Sequence, residues 1–402
     1  MNATHQRGLV SIFGSTFFEL VGYFMLTPWL LLRLADMDTP TALAGLFAAT
    51  GWLGVFFMTP FASAVTQRLG RRATLWLAAA VPVVGGVVFG LTDWLLLWFV
   101  LKLVMGMATG LRWVLAEAVV AEFSPPGQRG RYVGIFETMV GATFVVGPLL
   151  LAWIGPSSTE ALWAAVAFLA LGLAWSCLIP RLPPAHDTGS AKVGLHGVWH
   201  ALLAHPVIML AGFVGGFFES GITSILPLYG LALGLGAAAA ALLVSASGLG
   251  SAVMMLPAGM LADRLGGRGR HGQHHRFWGH PAQTRLQLMR VCAGLTLLIT
   301  LLVPWIAAHP LLAWPVVFLW GGVGGSLYTL AMIDIGSRES GITLVNSTAV
   351  LVMSYTAGGV LAPALGAAAL QWAPVFGFPA LLIVIASAGL WRLMRAKVNG
   401  TL

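Results

Sequence analysis

Glu19 and Glu219 are the first residues in this chain that suggest chemistry. Each follows two phenylalanines, and each lies one-third to one-half of the way along a long apolar run. A charged side chain at mid-bilayer costs about 2.5–3.5 kcal/mol on insertion scales, so a carboxyl group there implies a cavity, a partner or a carried proton. The two acids are read as proton-exchanging groups; the alternative is a protonated hydrogen bond from helix to helix with no further role. A single later run holds Lys102, Arg112 and Glu117. At 100° per residue, Arg112 projects about 80° to one side of Lys102 and Glu117 about 60° to the other, so the three cannot face one cavity. Arg112, near the middle of its run, requires an acid or an anionic solute. Glu137, about two turns into the next run, is either a proton site or part of a latch. With Glu19, Arg112 and Glu219, the aromatic residues Tyr23, Trp113 and Tyr328 are the candidate solute contacts.

Other chemistries find little support. His271, His274, His275 and His280 crowd the stretch from Gly266 to Arg285. They could gather a divalent metal, but a Gly- and Arg-rich loop offers no fixed tetrahedron, and its positive charge opposes binding. No metal and no cofactor are expected. Cys177 and Cys292 sit in apolar runs and give neither a disulfide framework nor a CxxC pair. No GxxxxGK[ST] loop, HExxH or GxSxG occurs, so neither a P-loop pump nor a hydrolase is expected; the chain reads as a non-enzyme driven by a gradient.

The elements that position these residues follow from composition. Of 402 residues, 58% are hydrophobic and 8% charged, with a mean hydropathy of +0.89; soluble domains carry about 25% charged residues. Apolar runs predict spans near 9–33, 42–66, 73–91, 96–120, 132–154, 161–180, 206–231, 237–261, 287–306, 312–333, 342–369 and 376–393. Met1 to Gly8 reads as a polar lead, not a cleaved signal peptide. With both termini cytoplasmic, 18 of the 21 Lys and Arg residues fall on one side. The net charge of +8 is therefore a topology signal and not a nucleic-acid footprint.

A polar stretch divides the spans six and six. The domains expected are 1–180, a linker at 181–205, and 206–402, which includes a His-rich cytoplasmic loop at 266–285. A repeat supports the division: Phe17-Phe18-Glu19 returns at an offset of 200, Pro28 as Pro227, Arg68 as Arg264 at an offset of 196, and Gly106 and Pro148 as Gly321 and Pro363 at an offset of 215. The jump from 196 to 215 places a 19-residue insertion in the His-rich loop.

Gly259-Met-Leu-Ala-Asp263-Arg264-Leu-Gly266-Gly267-Arg268 resembles the signature G-x-L-A-D-R-x-G-R-R of the major facilitator superfamily, and the resemblance covers nearly the whole chain. The equivalent first-half loop, Ser63 to Arg72, keeps its basic end but has Ser63 and Gln67 in place of Gly and Asp. Arg112 to Glu117, Arg129 to Arg131, Leu226 to Leu231 and Leu327 to Leu330 resemble the YcaD-like branch, whose members look like sugar or drug transporters. Gly134 and Gly147-Pro148 match part of an exporter signature, with Thr143, Leu151 and Ala152 replacing its other glycines.

The resemblance implies an all-α membrane protein of twelve transmembrane helices in two six-helix bundles, with the first and seventh spans lining a central cavity. It implies gating by Arg71, Arg72, Glu117, Glu122, Asp263, Arg264, Arg268 and Asp334. It also places Lys102 where the family has a coupling arginine; a lysine there either joins proton coupling, since Lys can exchange a proton and Arg effectively cannot, or snorkels to the outer interface. The expected activity is proton-coupled secondary transport of a small organic solute across a bacterial inner membrane by a monomer among membrane lipids, with export ahead of import of a nutrient or metal chelate. A lipid scramblase or a non-transporting receptor on the same scaffold is the alternative of another class.

Overall fold

The computed structural model describes residues 3–125, 127–155, 158–180, 192–266, 281–303 and 309–396. No strand occurs among the described residues. The helices are α1 Ala3–Asp36, α2 Thr41–Met58, α3 Ala62–Leu69, α4 Arg71–Leu91, α5 Leu95–Phe123, α6 Arg129–Ile154 and α7 Thr159–Ser176. After them come α8 Gly194–Ala204, α9 Pro206–Gly216, α10 Ile222–Ala232, α11 Ala237–Gly266, α12 Pro281–Leu301, α13 Ala313–Arg338, α14 Gly341–Trp372 and α15 Gly377–Arg395. Among the described residues, eleven helical segments are long and apolar enough to cross a membrane. In the seventh predicted span, α9 and α10 are joined by a π-helical turn at Phe217–Gly221; Gly194–Ala204 and Pro206–Glu219, bent by 95°, are long and apolar enough only when taken together, which gives up to twelve.

Local sequence explains the breaks. Pro60 has no N–H to donate, so α2 passes into α3 through a 3₁₀ turn at Thr59–Phe61, and the two form one passage. Gly70, at φ +82°, separates α3 from α4 within the basic QRLGRR stretch, a conformation that costs glycine nothing. The described part of the expected linker is helical: α8 meets the α9 segment at 95° and exposes Leu195, Trp199 and Leu203. Ser63 Oγ accepts the Gly194 N–H at 2.9 Å, and Asn346 Nδ2 donates to the Lys192 carbonyl at 2.8 Å, so the residues before α8 are held from two sides.

The helices form two compact units. One comprises Met1–Phe123, Ala142–His200 and Glu339–Ala349; the other comprises Ser124–Gly141, Ala201–Arg338 and Val350–Leu402. In the first, α1, α4, α5 and α7 enclose a core around Met25, Leu26, Leu30, Val166 and Leu169, with Phe47, Phe89 and Trp98 meeting as an aromatic cluster. The second is built on α13, which is buried from Trp320 through Gly336. The first half of α6 belongs to this second unit. Asp263 Oδ1 and Oδ2 accept the N–H groups of Gly130 and Arg131 at 2.8 and 2.7 Å, and Gly130 and Gly259 bring their backbones into contact. A carboxylate on the first N–H groups of a helix satisfies orphan donors and suits the positive end of its dipole.

The repeat read from the sequence governs packing inside each unit. A Cβ on Gly54 would fall on the Leu103 carbonyl, and one on Gly250 would fall on the Phe318 carbonyl. Likewise Gly106 lies against the Gly51 carbonyl and Gly321 against that of Ser247. Members of each pair differ by 196 on one helix and 215 on the other, so α2 meets α5 as α11 meets α13. Small residues let membrane helices approach this closely. Gly250→Ala is expected to lower the apparent unfolding temperature in detergent by the equivalent of about 1–3 kcal/mol. Gly248→Ala, whose Cβ would meet nothing within 4 Å, should leave it unchanged or slightly higher.

Candidate functional site

In the first unit, Gly172 of α7 lets α1 approach closely; a Cβ there would lie 2.9 Å from the Glu19 nitrogen. This puts the buried Glu19 carboxylate against α5, where Arg112 Nε forms an ion pair with it. The rest of the guanidinium is also engaged. Nη2 donates to Ser15 Oγ at 2.7 Å, and Nη1 lies 3.4 Å from both the Leu75 carbonyl and Ser176 Oγ. The serines in turn donate to the carbonyls of Ile12 and Gly172. Arg112 thus ties together α1, α4, α5 and α7, and its counter-charge is a resident acid.

Glu219 is held differently. It sits in the π-helical turn of the seventh passage, half-buried, with Ser251 Oγ donating to Oε1 and Tyr355 Oη donating to Oε2 at 3.1 Å. Gly325 leaves room for the carboxylate, and Tyr328 stacks edge-on against Tyr355 at 4.9 Å between centroids. The position equivalent to Arg112, 215 residues on, is Leu327. The second acid therefore has hydroxyl partners where the first has a guanidinium. A π turn inserted into a helix is frequent at functional positions, because it re-aims one side chain without ending the helix.

The charges on α5 face different neighbours, as their angular spacing requires. Lys102 does not snorkel: it is 2% exposed, with Nζ 3.1 Å from Thr27 Oγ1 and over the rings of Tyr23 at 4.9 Å and Phe47 at 5.8 Å. Trp113 donates its indole N–H to Glu117, one turn on, at 2.5 Å. Glu137 is buried in the first half of α6.

Among the expected gating residues, Arg71 makes a two-pronged pair with Glu122, at 3.2 and 2.8 Å. Arg72 donates to the Cys177 carbonyl at 3.3 Å and lies over Trp76 at 4.3 Å. Asp334 is held by Arg285 at 2.6 Å and by Arg338 at 2.9 Å. Neither arginine belongs to the signature loop: Arg264 is exposed, and Arg268 lies outside the described residues, as do His271, His274, His275 and His280. Asp263 holds a helix end. Its first-half counterpart, Gln67, is exposed and lacks the charge to do the same.

Sequence reasoning missed Ser15, Ser251, Tyr355 and Thr27, the neutral partners of the buried charges. One signal was available: Ser251 stands at the repeat position of Val55, a hydroxyl where the other half has a hydrocarbon.

The sequence pattern of the Major Facilitator Superfamily matches residues 12–341. The chain belongs to this superfamily. The uncharacterized superfamily transporter YfkF of Bacillus subtilis is 25% identical over 254 residues, a match spanning 61% of this chain and 63% of YfkF, so the chain covers less than two thirds of that relative. The uncharacterized YcaD of Salmonella paratyphi A is 24% identical over 375 residues, covering 92% of this chain and 90% of YcaD. Among solved structures, the human organic anion transporter MFSD10 superposes with a TM-score of 0.74 at 16% identity, covering 98% of this chain and all of that one, a likeness of fold. The fold and family are those of membrane transporters, and this member of the superfamily carries two repeat-related acids in unlike settings.

Replacing Glu19 by Gln would leave Arg112 buried without a counter-charge, which costs about 3–5 kcal/mol when one partner of such a pair is removed. Glu19→Met combined with Arg112→Met should recover most of that loss. Thermal unfolding of the two singles and the double measures the coupling.

Proposed function

We propose that this chain is a secondary active transporter that exports a small organic solute across a bacterial inner membrane in exchange for protons, and that Glu219 carries the proton. One contrast supports the assignment. A guanidinium only donates hydrogen bonds, so a proton arriving on Glu19 would oppose Arg112 and leave it uncompensated. A hydroxyl both donates and accepts. Ser251 and Tyr355 therefore serve Glu219 as carboxylate and, by turning their hydroxyls, as carboxylic acid, so a proton comes and goes without a buried group losing its partners. Glu19, paired with Arg112, is then a structural centre of the first bundle.

The orientation with both termini cytoplasmic rests on the one-sided placement of Lys and Arg. Export is favoured by the partial Gly-Pro signature: Gly147, before Pro148, packs against Phe24 and Val21 of α1. Import is the competing outcome, decided by the direction in which solute moves against an imposed proton gradient.

The test uses proteoliposomes and a solute found by thermal-shift screening of metabolites and drugs, since a ligand that binds the folded state raises its apparent stability. Wild-type protein should move protons when solute is added. Glu219→Gln should keep solute exchange and lose solute-driven proton movement at least tenfold. Unchanged coupling in that variant removes Glu219 from the mechanism.

A further inference from the structure

Lys102 stands apart from the other charges inside the helices. Arg112 has Glu19, Asp334 has two arginines and Glu219 has two hydroxyls. The ammonium of Lys102, almost fully buried, has one hydroxyl at 3.1 Å and two ring faces, and among the described residues no carboxylate is paired with it. Ring faces attract a cation through their quadrupoles but carry no net charge. Removing an ammonium from water without a counter-charge is costly, and good geometry with an anion is what repays it.

The surroundings carry the chemistry that recognises an organic anion. A Cβ on Gly51 of α2 would press on Lys102 Cε at 3.1 Å and Tyr23 Oη at 3.3 Å, so this glycine lets the Lys102 and Tyr23 side chains lie together against α2. Tyr23 and Thr27, both half-buried while Lys102 is buried, bring two hydroxyls into the surroundings of its ammonium. Phe47 and Tyr23 supply apolar and aromatic surface beside the charge. The repeat position in the second half, 215 residues on, is Val317, which carries no charge.

We infer that Lys102, with the Thr27 and Tyr23 hydroxyls, is the anion-recognition point for the transported solute, and that the solute is an organic acid with an apolar or aromatic body. The acid group neutralises the ammonium, the hydroxyls donate to its remaining oxygens, and the Tyr23 ring moves aside to admit it. Anion recognition thus lies with Lys102, and Arg112 keeps the bundle together. The inference takes from the transporter reading only that a solute reaches this point.

Binding tests it without any transport. Benzoate and naphthalene-2-sulfonate, each beside its neutral amide, are titrated against the purified full chain, following unfolding temperature and equilibrium affinity. Wild-type protein should bind each anion in preference to its amide. Lys102→Met should lose about ten- to hundredfold in anion affinity, the loss expected for one charge-assisted hydrogen bond, with the amides unaffected. Lys102→Arg should retain the preference, and Tyr23→Phe should weaken it severalfold. Ligand-free Lys102→Met should unfold at or above the wild-type temperature, because a buried charge has been removed; a purely structural lysine would lower it. Equal binding of anions and amides by the wild type, or wild-type anion affinity in Lys102→Met, overturns the assignment. Anion-selective binding without solute movement in vesicles would leave this site standing and remove the transporter reading. Transport indifferent to solute charge would do the reverse.

Discussion

A charge drawn into a hydrocarbon layer must keep a partner there, and the choice of partner decides what that charge can do next. Four arrangements among the described residues show the range of answers. Arg112 and Glu19 cancel each other; Asp334 takes two arginines; Asp263 takes the free N–H groups of a helix start; Glu219 takes hydroxyls. The first three arrangements are fixed in sign, since each loses its balance if a proton is added to the acid. Of the four, only the hydroxyl arrangement is indifferent to it. Partner chemistry, more than depth, thus separates the salt-bridged and helix-capping acids from the one proposed to exchange a proton.

The duplicated scaffold makes that separation visible. Packing follows the repeat: Gly54 and Gly250, or Gly106 and Gly321, meet the same partners in their own halves. A backbone contact leaves no tolerance for a side chain, so both copies need glycine. Chemistry does not follow the repeat. Arg112 corresponds to Leu327, Val55 to Ser251, Gln67 to Asp263 and Lys102 to Val317. Each exchange trades a charge or hydroxyl for a neutral or apolar side chain on a helix whose course is unchanged. The second half has a helix-capping acid near the end of α11 and a hydroxyl-bound carboxyl; the first has a salt-bridged one and a buried ammonium.

This division explains what the sequence could and could not disclose. Span positions and the repeat follow from hydropathy and spacing, which report on each helix alone. Charged positions such as Glu19, Lys102 and Arg112 stand out because the background is apolar, and the angular argument on α5 correctly kept Lys102, Arg112 and Glu117 apart. Partners were harder to read, since pairing depends on which helices touch. The depth of Arg112 calls for an acid or an anionic solute; that the partner is Glu19, 93 residues earlier on another helix, follows only from packing. The resemblance sets Asp334 among the gating residues with Arg264 and Arg268, whereas the arginines that hold it are Arg285 and Arg338. The π turn at Phe217–Gly221 leaves no mark in composition, and the helical character of 194–204 was hidden by the polar residues before it.

The π turn bears on the proposal that Glu219, and not Glu19, changes state. A regular helix fixes each side chain by hydrogen bonds four residues apart; a π turn adds a residue to that count and re-aims those it contains. Glu19 lies in the uninterrupted helix α1 and meets a guanidinium anchored on three other helices, so neither partner can shift without disturbing the core. Glu219 lies on the irregular turn and meets two single hydroxyls, each on its own helix, α11 and α14. On the proposed reading, rotation of the Ser251 and Tyr355 hydroxyls alone lets them serve both states of the carboxyl. The same residue triplet, Phe-Phe-Glu, thus stands on a regular helix beside a guanidinium in one half and on a π turn beside two hydroxyls in the other.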